Sequence, residues 1–522
     1  MKLWRNEKRK RLVYACTVPK QNQTNSNKIE QFDVAIIGAG INGAVAAAAL
    51  SAAGQKVLLV DKGDFAGFTS QESSNLVWGG IKYLQTYEFL LVFKLCLARN
   101  RLMRAYPNQI RQIGFLASLG PTAPFGRLLG TFGTLFYWAI GLFGTKPPAS
   151  YSAKVAKQLE PNLITGRKAV KYYDAELPDN DSRFVFDFVR HALERGAAAR
   201  NYTELVGAQF DGEWTLELKL GRDKSRARAK SVINTSGPFA SQVAQILDAK
   251  TKAGLVFSKG VHLILNRQLT SDYQVLAFWD EEGRLFYVLP MGDRSMIGTT
   301  DTRVKDPKTK VTKEDIDFVL RQINAQLELD NPITADQIVS ERSGVRPLVI
   351  EAGESGAVED WHQLSRKHVI EGNKQRRVVT VLGGKLTDCL NVGEELIGEL
   401  NRFGHNIKKP GKWFGEGSQL RKQEFYEAVL AQAEGDAADR IATSIWRRHG
   451  ERSFEVIGTK KLSEIIPGLG ITEQEIRYIV KNELVTSRED LLRRRLPAMM
   501  ARSEKELSEN KKLEKLLVDL GL

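Results

Sequence analysis

The sequence predicts an α/β protein in three parts: a βαβ nucleotide-binding unit opening a discontinuous domain, a mixed β-sheet domain interleaved with it, and an all-helical C-terminal domain. Three observations predict it. FDVAIIGAGINGAVAAAAL, starting at Phe32, runs from an apolar strand through three spaced glycines into an alanine-rich helix. Between residues 254 and 305, GLVFSKGVHLILN, VLAFWD, RLFYVLP and SMIGTTD read as strands, in part alternating. From about Gly415 onward the apolar spacing is almost all helical, punctuated by Pro467 and Gly468.

The opening unit is the most informative stretch. Gly38, Gly40 and Gly43 form GxGxxG. In such a Rossmann-like unit the first glycine makes a tight turn, the second lets backbone approach a pyrophosphate, and the third lets the helix pack closely on the strand. Ile41 and Asn42 open the helix, whose free N–H groups and positive dipole end suit phosphate. A second strand, Lys56–Val60, ends in Asp61, a carboxylate able to accept hydrogen bonds from ribose hydroxyls. The glycines alone are a weak signal. Strand, glycines, helix, strand and acid at these spacings together predict a dinucleotide site.

A chain of 522 residues holds two or three domains, and 42% hydrophobic with 26% charged residues is ordinary for a folded, mostly soluble protein. Cys16, Cys96 and Cys389 lie far apart without CxxC, which argues against a disulfide framework or zinc site and for a reducing compartment. No clustered metal-ligand spacing appears among the six histidines, so no metal is expected. The net charge of +14 comes without a nucleic-acid-binding signature, so nucleic acid is not an expected partner. An anionic membrane surface or an anionic substrate is the alternative, beside plain solubilising charge.

Residues 1–31 read as a basic flexible tail, since the apolar run LVYAC is too short for a signal peptide. Gly, Ser and Thr enrich the segment after Asp61, as a ligand-binding loop would be. Helical spacing begins near Tyr87. Residues 128–145 are uncharged but interrupted by four glycines. A surface-lying or monotopic contact is expected there first, a buried hairpin second and a membrane span last. DSRFVFDFVRHALERG predicts a helix in which His191 is structural, and RARAKSVINTSGPFA predicts a strand ending in a small-residue turn at Gly237. VVTVLGGKLTDCL repeats the strand–glycine–helix logic at Gly383, Gly384 and Lys385. Arg493–Arg495 is expected on a solvated helix face. Glycine-rich contact segments recurring as far as residue 390 fit an extended FAD better than a compact nicotinamide nucleotide.

IIGAGINGA, TSQESSNLVWGGIKYLQTYEF, VINTSGPFA, KGVHLIL, IGTTD, SGVRPL and LGGKLT, in this order, resemble the FAD-dependent, membrane-associated glycerol-3-phosphate dehydrogenases, within the superfamily built like D-amino-acid oxidase. The resemblance covers nearly the whole chain after residue 31. It implies a FAD-binding domain over 32–412 (about 32–100, 150–250 and 340–412), interleaved with a substrate domain (about 101–149 and 251–339), then a helical domain over 413–522. The implied reaction takes sn-glycerol 3-phosphate to dihydroxyacetone phosphate, with hydride passing to FAD and electrons to a membrane quinone. The implied location is peripheral, on the cytoplasmic face of the membrane. Oligomeric state is left open, a homodimer included.

By the same resemblance His262 is the active-site base, Arg346 a catalytic and substrate-binding arginine, Arg366 a second substrate arginine, and Lys385 a cation near flavin and substrate. Lys82 and Tyr83 fall in the substrate loop. Ser73, Ser74, Gly237, Leu386 and Thr387 fall in cofactor-contacting segments. Where the family reads SSKLIHGGLRYL this chain has SSNLVWGGIKYL, with Asn75, Trp78 and Lys82 replacing lysine, histidine and arginine. These exchanges leave open a related FAD oxidase or dehydrogenase acting on another small hydroxy or amino compound, or a flavin-binding protein whose catalysis has lapsed.

Overall fold

A computed structural model describes residues 29–350 and 367–522. The amino-terminal tail through residue 28, and Arg366, lie outside the described residues. Glu30 and Gln31, expected in the tail, already belong to the first strand, β1 (Glu30–Ile37).

β1 is followed by α1 (Ile41–Ala52) and β2 (Val57–Val60). β1 lies between β2 and the strand Asp223–Asn234, parallel to both. The sheet continues through Val378–Leu382, also parallel, to an antiparallel edge at Val369–Asn373. Parallel strands are covered on both faces, which is why β2 is buried throughout. Ala44 to Leu50 of α1 are wholly buried. Their small side chains let α1 sit against the sheet and in one core with the helices Asp181–Glu194 and Cys389–Arg402.

Among the described residues the second sheet has ten strands, and Gly254–Leu265, towards one end of it, is paired along its length with Ile338–Ile350. Lys168–Glu176 and Ile338–Ile350 both join this sheet. The sheet boundaries therefore differ from the segmentation at residues 150 and 340. Strand propensity marks these segments as strands, but partner choice is set by packing.

Beyond residue 420 the chain is helical apart from a short hairpin, Glu464–Ile466 with Ile471–Thr472. This domain docks through buried ion pairs, Arg183 with Glu483 (2.5 Å) and Arg448 with Asp179 (3.3 Å), the latter arginine also pairing within the domain with Glu475 (2.7 Å). Arg493, Arg494 and Arg495 are only 8, 6 and 0% exposed, which overturns the expected solvated face. They sit in a π-helical turn, Asp490–Arg495, and are covered by the segment bearing Asp64, Gln71 and Glu72, to which all three donate.

Two helices flank the second sheet: α2 (Phe89–Ala105) and α3 (Arg127–Ile140). Gly130, Thr134 and Tyr137 of α3 are buried, whereas Leu128 (84% exposed), Leu129, Phe132 (68%), Leu135 and Phe136 face outward. Among the described residues, no helix is long and apolar enough to cross a membrane.

Candidate active site

The cofactor end is a cleft of about 1100 Å³, its open mouth included, at the carboxyl ends of β1 and β2. Gly38, with φ +102°, makes the turn, and a Cβ there would stand 2.7 Å from the Ser236 backbone. A Cβ on Gly43 would lie 1.8 Å from the Gly38 carbonyl oxygen. Gly40 precedes α1 and offers no side-chain cap. The Ile41 amide donates to Ser70 Oγ (3.0 Å). Asn42 Nδ2 donates to the Gly383 carbonyl (3.1 Å), while its Oδ1 is buried without a hydrogen-bond partner among the described residues. Asp61 accepts from the amides of Ala39 (2.6 Å) and Gly63 (2.8 Å), and burial raises its pKa above the usual carboxylate range. Each of its oxygens has a second lone pair, and Asp61 lines the cleft. Gly237 (φ +56°), Gly383 and Gly384 line the same cleft, so two distant segments meet the opening motif there.

The reaction end is built on the second sheet. His262 is 1% exposed in the strand Gly254–Leu265, and its Nε2 lies 3.0 Å from Ser74 Oγ. In register with the neighbouring strand, His262 faces Arg342 and Ser258 faces Arg346. Side chains alternate along a strand, so both arginines share the face of His262. The Arg346 guanidinium lies over Gly260, where a Cβ would be 2.4 Å from its Nη2, and it donates to Thr299 Oγ1 (3.1 Å). Burial first, then the charges of Arg342 and Arg346, hold the His262 pKa well below its usual value. His262 is thereby neutral at neutral pH, as a proton acceptor must be.

Lys385 Nζ lies 3.9 Å from the Tyr83 ring centroid, and Lys82 Nζ is 5.9 Å from the same centroid. Leu386 and Thr387 form a 3-10 turn leading into the helix Cys389–Arg402. Thr387 Oγ1 donates to the Trp78 carbonyl (3.1 Å), tying this turn to the 78–83 loop. Beneath that loop, buried Asp174 accepts from Gly79 N (2.9 Å), Arg99 Nη1 (2.8 Å) and Tyr137 Oη (2.8 Å). Ser73 donates its amide to Asp181 (2.8 Å).

Residues 33–385 match the FAD dependent oxidoreductase (DAO) family. The chain belongs to that family. Its cofactor is FAD, and the glycine cradle at the start of α1 and the orphaned Asn42 Oδ1 fit such a group. Among curated relatives, this FAD-dependent oxidoreductase is 29% identical over 482 residues to a glycerol-3-phosphate dehydrogenase of Pseudomonas aeruginosa, covering 89% of this chain and 91% of that one. It is 28% identical over 505 residues to an aerobic glycerol-3-phosphate dehydrogenase of Staphylococcus saprophyticus, covering 92% and 89%. The glycerol-3-phosphate dehydrogenase of Bacillus halodurans, solved with FAD, shares the fold at a TM-score of 0.66 and 22% identity, over 95% of this chain and 92% of that one.

Of the expected cofactor residues, Gly38, Gly40, Ile41, Asn42, Asp61 and Gly237 line the cleft, whereas Ser73, Ser74, Lys385, Leu386 and Thr387 lie outside its lining, with Ser74 at His262 and Lys385 at Tyr83. Arg342 is a residue the sequence argument passes over. Its signal was present: in ERSGVRPL the two arginines stand four apart, which on a strand puts them on one face.

Proposed function

We propose that this FAD-dependent oxidoreductase oxidises sn-glycerol 3-phosphate to dihydroxyacetone phosphate. The observation that carries the reading is a buried, neutral His262 on the same strand face as Arg346, with Lys82 and Lys385 gathered at Tyr83. His262 takes the proton of the carbon-2 hydroxyl, and Ser74 holds the imidazole ring in place through Nε2. Bound FAD supplies the hydride acceptor. Arg346, with a planar fork suited to phosphate, and Lys82 hold the anionic end of the substrate. The names of the relatives support the substrate.

Anaerobic mixing of the holoenzyme with sn-glycerol 3-phosphate is expected to bleach the flavin absorbance. Absence of bleaching at saturating substrate rejects this substrate and sends the search to other small hydroxy or amino compounds, the reading that Asn75, Trp78 and Lys82 leave open. A membrane quinone is the proposed acceptor. Reoxidation faster with a soluble quinone than with oxygen is the expected result, and the reverse identifies an oxidase.

The proposal places the protein on the cytoplasmic face of a membrane, with the outer face of α3 against it. Leu128, Phe132 and Phe136, joined through the Phe136–Phe89 ring contact to exposed Tyr87 and Leu90, form one apolar surface flanked by exposed Arg127, Lys94 and Lys146. Each cation close to an anionic surface contributes about 1 kcal/mol. Binding to anionic vesicles is expected to fall at least about tenfold when Leu128 and Phe132 are changed to serine, since each buried large side chain is worth about 1.5–3 kcal/mol. Unchanged binding removes α3 as the contact.

A further inference from the structure

The segment 61–75 carries Asp61, Ser70, Ser73 and Ser74, yet its only regular element is a four-residue 3-10 turn, Phe68–Gln71. Ala66, Phe68 and Asn75 within it hold φ of +62°, +56° and +56°. Non-glycine residues keep such angles only where the surroundings over-determine them. Beside short turn bonds of its own, such as Glu72 N to the Thr69 carbonyl, the segment is held by groups from far away in the chain.

Two buried guanidiniums converge on the Gln71 carbonyl oxygen. Arg342 Nη2 reaches it from the strand Ile338–Ile350, and Arg493 Nη2 from the C-terminal domain. Arg342 also donates to Asp181 Oδ2 (2.8 Å), the oxygen that accepts the Ser73 amide, and to Asn75 Oδ1 (3.3 Å). Arg493 also donates to Glu72 Oε1 (3.2 Å), and Arg494 Nη1 to Gln71 Oε1 (3.1 Å). Earlier in the segment, Asp64 is gripped by Arg494 Nε (2.7 Å) and by both terminal nitrogens of Arg495 (2.8 and 2.9 Å).

Docking of the C-terminal domain does not by itself account for this arrangement. The domain has other buried anchors in Arg183–Glu483 and Arg448–Asp179, on segments that carry no reacting group. The bonds of Arg342 and Arg493 instead end on the two sides of Ser74: the Gln71 carbonyl and Glu72 before it, and Asn75 after it. Ser74 is the residue that touches His262 Nε2.

We propose that Arg342 and Arg493 are positioning residues for the oxidation, and that the C-terminal domain, through Arg493, holds Ser74 against His262. Arg342 does the same from the strand that pairs with that of His262, so the base and its serine are fixed to one another from both sides. The catalytic part of this inference rests on His262 acting as the base; the positional part does not.

The test compares holoenzymes carrying Arg493→Gln, Arg493→Lys and Ser74→Ala with wild type. Without substrate, amide hydrogen exchange over 70–78 is expected to rise at least about tenfold in Arg493→Gln, while exchange over 183–190 and 475–483 is unchanged. Flavin reduction at saturating sn-glycerol 3-phosphate is expected to slow about 10- to 100-fold with KM little changed, as misplacement of about 1 Å does, and Arg493→Lys is expected to recover part of the loss. In a Ser74→Ala background, Arg493→Gln is expected to add little, because both act through one contact. Unchanged exchange over 70–78 overturns the positional proposal whatever the substrate. Full additivity with Ser74→Ala overturns the catalytic link. If the substrate fails to reduce the flavin, the exchange measurement still decides the first part. If Arg493→Gln does not retain FAD, Glu72→Ala removes one acceptor of Arg493 and carries the same expectation at smaller size, and unchanged exchange in that variant overturns the proposal.

Discussion

His262→Ala is expected to slow anaerobic flavin reduction by about 10²- to 10⁴-fold, the usual worth of a positioned base. FAD is expected to remain bound, because the cradle at Gly38, Gly43 and Asp61 belongs to the other sheet. The same side chain sets a pH signature. A base works in its neutral form, and burial with Arg342 and Arg346 moves the His262 pKa well below 6.5. As pH falls, the reduction rate at saturating substrate is therefore expected to hold through 6.5 and to decline only at lower values. A limb centred above pH 7 would show that another group carries the proton. A reduction rate in His262→Ala equal to wild type would remove His262 from the chemistry altogether.

Gly43→Ala is expected to yield protein without bound FAD. The new Cβ would meet the Gly38 carbonyl oxygen at 1.8 Å and Thr235 Oγ1 at 2.8 Å. Gly38 is fixed by its own left-handed turn, so relief requires α1 to move away from the sheet. α1 has little room to move, since Ala44 to Leu50 behind it are wholly buried. Overpacking of this kind costs about 1–3 kcal/mol, and the shift also carries away the helix terminus that faces the cleft. Gly40→Ala makes the natural comparison, as its Cβ would come no closer than 3.0 Å, to the Ser70 hydroxyl. Normal flavin content in Gly43→Ala, measured by absorbance after purification, would contradict the close approach.

What could be read from the sequence divides along the same physical line. Gly38, Gly43 and Asp61 act within one βαβ unit, where spacing along the chain is spacing in the fold. His262, Arg346 and Lys385 carry no local signal of equal strength, and a resemblance of whole motifs was needed to single them out. Arg493–Arg495 was misread because its partners, Asp64 and Gln71, lie more than 420 positions away. Three adjacent cations read as solvated unless their counter-charges are in view. The strands Lys168–Glu176 and Ile338–Ile350 were legible as strands, but their sheet was decided by long-range pairing.

Tyr137 gives α3 a second consequence. Its hydroxyl donates to Asp174 Oδ2 while the Gly79 amide donates to Oδ1 of the same carboxylate, and an added Cβ on Gly79 would stand 2.2 Å from that hydroxyl. Close-packed contacts of this kind transmit displacement instead of absorbing it. The loop bearing Lys82 and Tyr83 and the helix that carries the outer apolar face are therefore tied through one buried carboxylate, so a displacement of α3 is expected to reach that loop.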